Sequence, residues 1–209
     1  LLCVSGEKMS LSDIAISYDE SLNADDFEEF HHDLANERLE IIIESRPGGE
    51  VFASLEWFIP TAVIVFISKS YFDGFLKEMG KDHYLKLKES LSSLTNKQMS
   101  KPRIEPIMIG SPGKVNPNNP YSMAFSVYAE ANDGNKFKLL IPKPSEIDDY
   151  TEIVYKFLDF LNDYHMGIKN EGSIGFDINS KAPSRLILVH MNLHTKCIEW
   201  LNYHDKSKT

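Results

Sequence analysis

Cysteine is nearly missing from this chain: Cys3 and Cys197 are the two found in 209 residues. They stand at opposite ends, with no paired spacing to each other or to histidine, which excludes a disulfide framework and a zinc knuckle. Two reduced thiols fit a cytoplasmic protein. Long hydrophobic runs are missing as well. The apolar stretch Ala62-Val63-Ile64-Val65-Phe66-Ile67 falls far short of the roughly 20 residues that span a bilayer, and Leu1 to Val4 is too short for a signal-peptide core. Positive charge is scarce: 22 Lys+Arg stand against 31 Asp+Glu, a formal charge of −9. A field of that sign repels nucleic acid and anionic lipid, so neither is expected as a partner, and an anionic ligand must be gripped locally. Internal repeats and low-complexity segments are absent. With 42% hydrophobic and 25% charged residues, the composition is that of an ordinary globular protein.

What is present alternates between strand and helix. Ile14-Ala15-Ile16-Ser17-Tyr18 predicts a strand near 13–18, and Asn23 is a candidate N-cap for a helix with Asp25 and Asp26 in its first turn, where carboxylates complement the dipole. Phe27, Phe30 and Leu34 share one face of it. Leu39 to Ile43 predicts a second strand, leading into Glu44-Ser45-Arg46-Pro47-Gly48-Gly49. Val51, Leu55 and Phe58 mark a short helix that Pro60 ends. Residues 62–67 lack alternation and suit a central strand buried on both faces. Phe72, Leu76, Met79, His83, Leu87, Leu91 and Leu94 predict one helix over 71–95, loosened at Gly80. Residues 104–109 are the next strand. Three βα steps predict a parallel sheet with helices on both faces and ligands beyond the carboxyl ends of the strands, at loops 18–23, 44–50 and 68–74.

After Gly110 the rhythm changes. Tyr121 to Tyr128 alternates, Asn132-Asp133-Gly134-Asn135 is a hairpin turn, and Phe137, Leu139 and Ile141 return; a hairpin here belongs on a sheet edge. Ser145 is a candidate cap for a long helix carrying Ile147, Tyr150, Val154, Phe157, Leu158, Leu161 and Tyr164, ended by Gly167. Residues 173–178 and 185–200 read as further strands. His190 and His194 on such a strand stand roughly 13 Å apart and cannot share an ion. His31 and His32 point in different directions around a helix. No metal site is expected.

Ile14 to Asp19, Arg46-Pro47-Gly48-Gly49, Ser54-Leu55-Glu56 and Val63 to Phe72 together resemble the boxes of a TIR (Toll/interleukin-1 receptor) domain in order and spacing. The resemblance covers about residues 11–95 and implies an α/β, flavodoxin-like (TIR-like) parallel sheet flanked by helices. On this reading 11–167 is one TIR-like domain, with 111–141 an inserted loop and β-hairpin, and 168–209 is a C-terminal β extension packed on it.

Many TIR domains cleave the nicotinamide–ribose bond of NAD+ in immune or signalling systems. The resemblance implies that NAD+ glycohydrolase or cyclase activity, with NAD+ as substrate and no cofactor. The leaving group is already cationic, so one carboxylate beside the developing oxocarbenium ion suffices. The family's glutamate falls at Glu78; four residues before it stands Gly74 where the family has tryptophan, and the nearest aromatic is Phe75. Tyr18, Arg46, Ser68, Lys69, Ser70, Phe72 and Phe75 are the expected substrate-binding residues, with Glu56 and Asp73 as reserve carboxylates. Arg46, Pro47, Gly48 and Gly49 form the expected self-association loop, whose partner is a second copy or another TIR domain. Two other readings stand beside this one: a catalytically silent TIR-like scaffold acting by homotypic association, and a nucleoside deoxyribosyltransferase-like enzyme. An aromatic beside Glu78 in a cleft favours the enzymes, and an exposed Glu78 favours the scaffold.

Overall fold

The computed structural model describes residues 12–47, 61–101, 119–177 and 179–202. In chain order these form β1 (Ile14–Asp19), α1 (Asp25–Leu34), β2 (Ile41–Arg46), β3 (Val63–Ile67), a π-helical turn (Tyr71–Phe75), α2 (Leu76–Met79), α3 (Lys81–Ser100), β4 (Tyr121–Glu130), β5 (Lys136–Pro142), α4 (Thr151–His165), β6 (Leu186–Met191) and β7 (Ile198–Trp200). Among the described residues seven strands make one sheet in the order β2-β1-β3-β4-β5-β6-β7.

The sheet is mixed, where the sequence pattern predicts a parallel one. Three βαβ units supply its parallel pairs: β1 with β2, β3 with β4, and β5 with β6. Each unit meets its neighbour antiparallel, β1 against β3 and β4 against β5, and β7 closes the series antiparallel to β6. The physical reason is the connection from Arg46 to Val63. β2 ends, and β3 begins, at the carboxyl end of β1, because Asp19 pairs with Arg46 and Tyr18 with Val63. The chain therefore re-enters the sheet from the side it left and reverses direction.

The 121–141 hairpin also differs from expectation, since β4 and β5 are the fourth and fifth strands of seven and not an edge. β4 is the parallel partner of β3 within its own βαβ unit, which places it centrally. β3 is flanked on both sides and all five of its residues are buried, as its uninterrupted apolar run requires. The expected helix over 71–95 is broken, because Gly80 takes φ +75 between α2 and α3. In place of the strand expected over 173–178, a 3₁₀ turn spans Glu171–Ile174 and no strand follows among the described residues up to Asp177, and 185–200 splits into β6 and β7. The expected strand at 104–109 and helix at 51–58 lie outside the described residues.

The described helices share one face of the sheet. Phe27, Phe30 and Leu34 of α1, Leu87, Leu91 and Leu94 of α3, and Phe157, Leu158 and Leu161 of α4 form a single core with Ile14, Ile16, Val63, Val65, Ile67, Phe125, Val127, Phe137, Leu139, Ile187 and Val189. The strand members of that list recur at every second residue, the period of one sheet face. The caps differ from expectation: Ala24 and Tyr150, not Asn23 and Ser145, occupy the N-cap positions of α1 and α4, and neither makes a side-chain cap hydrogen bond. The Asn23 side chain accepts from Asp25 N at 3.1 Å, and Asp149, not Ser145, accepts from Thr151 N at 2.9 Å at the start of α4. Among the described residues no helix is long and apolar enough to cross a membrane.

Phe137 is fully buried and meets Phe160 and Tyr164 edge-on, at centroid distances of 5.2 and 5.1 Å. Replacing Phe137 with alanine is expected to cost about 3–5 kcal/mol, read as a lowered midpoint in urea denaturation. A loss under about 1 kcal/mol would place the core elsewhere.

Candidate functional site

The reversal between β1 and β3 decides where the expected site residues fall. Tyr18 and Arg46 sit at the carboxyl end of β1, whereas Ser68, Lys69, Ser70 and Phe72 follow β3 and sit at its amino end, where Ile14 pairs with Ile67. The five steps between the ends of β1, at about 3.3 Å each, separate the two groups by roughly 16 Å along the sheet. They do not converge on one ligand.

At the first end, Tyr18 stacks on Phe27 with ring centroids 4.1 Å apart. It lines an open groove of about 390 Å³ together with Ala24, Glu28, His31, Ile41 and Ile43. Arg46 projects from the opposite face of the sheet, since Tyr18 pairs with Ser45 and Arg46 with Asp19. Its guanidinium donates to the Thr61 carbonyl, and its Nε is buried without a hydrogen-bond partner. Burial pulls the guanidinium below its ordinary range, while Asp19 works against that shift. Pro47 is exposed; Gly48, Gly49 and Glu56 lie outside the described residues.

The same sheet face holds a buried polar group that the sequence pattern did not single out. Thr61 Oγ1 lies 2.6 Å from Ser126 Oγ and also donates to the Val63 carbonyl at 2.7 Å. Lys138 Nζ stands 5.3 Å from the Tyr128 ring centroid. Burial pushes the Lys138 amine down to about 8 and the Tyr128 phenol up to about 12. In the sequence these residues look like the polar half of two alternating strands, and only the sheet's central position buries them.

At the second end, the expected ligand donors are engaged with the protein itself. Ser68 N donates to the Asp13 carbonyl at 2.9 Å. Ser70 Oγ donates to the Asp13 carboxylate, which also accepts from Glu40 N at 3.1 Å. Lys69 N donates to Glu130 Oε2 at 3.0 Å, and Lys69 Nζ pairs with Asp73 at 3.5 Å. Phe72 is 3% exposed and stacks on His165 at 4.5 Å. Asp13, Glu130, His83 and His165 were not among the expected residues. For Asp13, Glu130 and His165 the sequence signal is a charge or an imidazole at the end of an apolar element, and for His83 an imidazole at a position of the apolar helical face.

Comparison of the chain with protein-family models, with characterised proteins and with solved structures gives no match.

Glu78, the expected catalytic carboxylate, lies on α2 with its side chain 62% exposed and 3.0 Å from Arg38 Nη1, itself 69% exposed. A carboxylate facing water and a guanidinium has little electrostatic leverage on a transition state, because solvent screens both. The backbone of Phe75 closes the π-helical turn, and its side chain is not among those described. Among the described residues no cluster of three or more metal-ligating side chains forms. His190 packs edge-on to Tyr121, and His194 is exposed in the turn before β7.

Asp13 is expected to matter more for stability than Glu78. Asp13→Ala removes the acceptor of the Ser70 hydroxyl and the Glu40 N–H, leaving Ser70 its contact with Ser68, and should cost about 1 kcal/mol, whereas Glu78→Gln should stay within about 0.5 kcal/mol of the parent. Paired urea titrations check the order, and the reverse ranking would show that the Asp13 contacts are idle.

Proposed function

We propose that the chain is a TIR-like association module, which docks another folded chain and does not cleave NAD+. The observation that carries this reading is the exposed Glu78, paired with Arg38 in water and separated from Tyr18 and Arg46 by the reversal of β3. Cleavage of a glycosidic bond requires a carboxylate held beside the sugar in a site from which water is largely excluded. Here the aromatic surfaces that would hold a ring are occupied by packing: Tyr18 lies on Phe27 and Phe72 on His165.

Association draws support from the first end of the sheet. Among the described residues β2 pairs only with β1 and ends the sheet on that side. The groove beside it is floored by Ile41 and Ile43 and rimmed by Glu28 and His31. The Arg46–Pro47 corner stands at the end of the same strand, with Pro47 holding φ where a docking loop needs a rigid stem.

The test has two arms on the same purified chain. Incubation with NAD+ should release no nicotinamide above a protein-free control, at concentrations up to those at which light scattering shows association. Light scattering should show a mass that rises with concentration, and Pro47→His should alter that profile while leaving the thermal midpoint unchanged. Nicotinamide release that disappears in Glu78→Gln would overturn the reading and restore the glycohydrolase. A concentration-independent monomer would remove homotypic association.

A further inference from the structure

The π-helical turn Tyr71–Phe75 is held from below by two histidines, one from each neighbouring helix. Its backbone closes with Leu76 N donating to the Tyr71 carbonyl, the five-residue spacing that widens a helix and often marks a functional segment. The segment is tied down at its start by Ser68 N on Asp13 and Lys69 N on Glu130. It ends at Gly80, whose φ of +75 and open surroundings make it a pivot at little steric cost. Between these points the turn turns two rings inward. Tyr71 is fully buried, and its hydroxyl lies 3.4 Å from Nδ1 of His83, in the first turn of α3. Phe72 stacks on His165, the last residue of α4, with ring planes 13° apart.

The hydrogen bonds set the state of His83. Its Nε2 lies 3.3 Å from the Leu34 carbonyl, which can only accept, so Nε2 carries the proton and Nδ1 accepts from Tyr71. Protonation at Nδ1 would place a second donor against the Tyr71 hydroxyl and force that hydroxyl to turn. His165 has no partner of that kind: both ring nitrogens are buried without a side-chain hydrogen bond, and the Glu130 backbone gives the ring a favourable polar contact. The charged groups around His83 are Lys86 on its own helix and, across Tyr71, Asp13. Around His165 they are Asp73 and Lys69 from the segment and Glu130 from β4, with the Tyr164 ring beside it.

Burial is the largest influence on both histidines and lowers both. At His83 it outweighs the favourable Leu34 carbonyl, with Lys86 adding to it; at His165 it outweighs Asp73, and Lys69 works in the same direction as burial. A histidine that resists protonation when closed binds more protons when open. Acid therefore favours the open form, starting as pH falls below the ordinary histidine value of about 6.5.

We propose that His83 and His165 form an acid-releasable clamp on the Tyr71–Phe75 turn: neutral imidazoles hold it closed, and a proton on either frees residues 69–80 to swing about Gly80. Release would uncover the faces of Tyr71 and Phe72 and move Lys69, Asp73, Lys77 and Glu78 away from the sheet end. The inference does not rest on the association reading, since it concerns the opposite end of the sheet.

Hydrogen exchange by mass spectrometry on the whole chain at pH 7.5 and 5.0, corrected for intrinsic exchange rates, tests it. Peptides spanning 68–80 should lose about tenfold or more in protection at pH 5.0, while those of β3, β4 and β5 hold theirs. In a chain carrying both His83→Gln and His165→Phe, the protection of 68–80 should no longer depend on pH. Should that variant fail to fold, imidazole titration of the parent chain by NMR decides, and both rings should titrate below 6.5. Unchanged protection in the parent, an equal loss in the double variant, or titration of both rings at or above 6.5 would overturn the clamp.

Discussion

Five residues of β1 pair antiparallel with β3, Ile14 facing Ile67 and Tyr18 facing Val63, and the place of every loop in the molecule depends on that pairing. Had β3 run parallel to β1, the loops after β1, β2 and β3 would open on one side, and their side chains would surround a common crevice. With β3 reversed, the loop after β3 opens beside Asp13 instead. β4 follows β3 in the same sense, β5 and β6 reverse again, and the three βαβ units lie side by side with alternating direction. One register thus separates the molecule into two functional ends.

Each end has its own physics. At the carboxyl end of β1 the polar groups are spread over two faces, an open groove on the helix side and the buried Thr61 and Ser126 beside Arg46 on the other. At the amino end they converge on Asp13, whose carboxylate and carbonyl together take hydrogen bonds from Ser68, Ser70 and Glu40. Such a network has little capacity left for a ligand, because displacing any one contact leaves a donor unpaired. What it can do is hold the following segment in place, and the two buried imidazoles meet that segment from the neighbouring helices.

The contrast between Glu78 and the two histidines shows why environment outranks residue type. Glutamate is the residue a glycosidic site needs, yet at an exposed position beside Arg38 it has only the properties of a surface carboxylate. His83 and His165 belong to no motif, and burial is the largest influence that sets them apart from surface histidines. A site is made by desolvation and convergence as much as by side-chain identity.

Much of the fold was legible in the chain because it depends on local pattern. The unbroken apolar run of β3, the 3.6-residue spacing of Phe27, Phe30 and Leu34, the Asn132–Asn135 turn and the stop at Gly167 all answer to neighbours a few residues away, so the sequence alone determined that strands and helices alternate here. It marked Gly80 as a weak point in the helix after β3, though the full break there, at a φ only glycine adopts with ease, came from the tertiary structure. Strand direction was beyond its reach. Whether β3 enters the sheet from one side or the other depends on the course of the chain between Arg46 and Val63, and a central strand is equally apolar in either sense. Tertiary structure therefore decided that the hairpin is central and that Tyr18 and Ser68 lie at opposite ends. It also decided that Glu78 faces water while His165 does not, because burial is a property of what packs around a residue and no pattern along the chain records it.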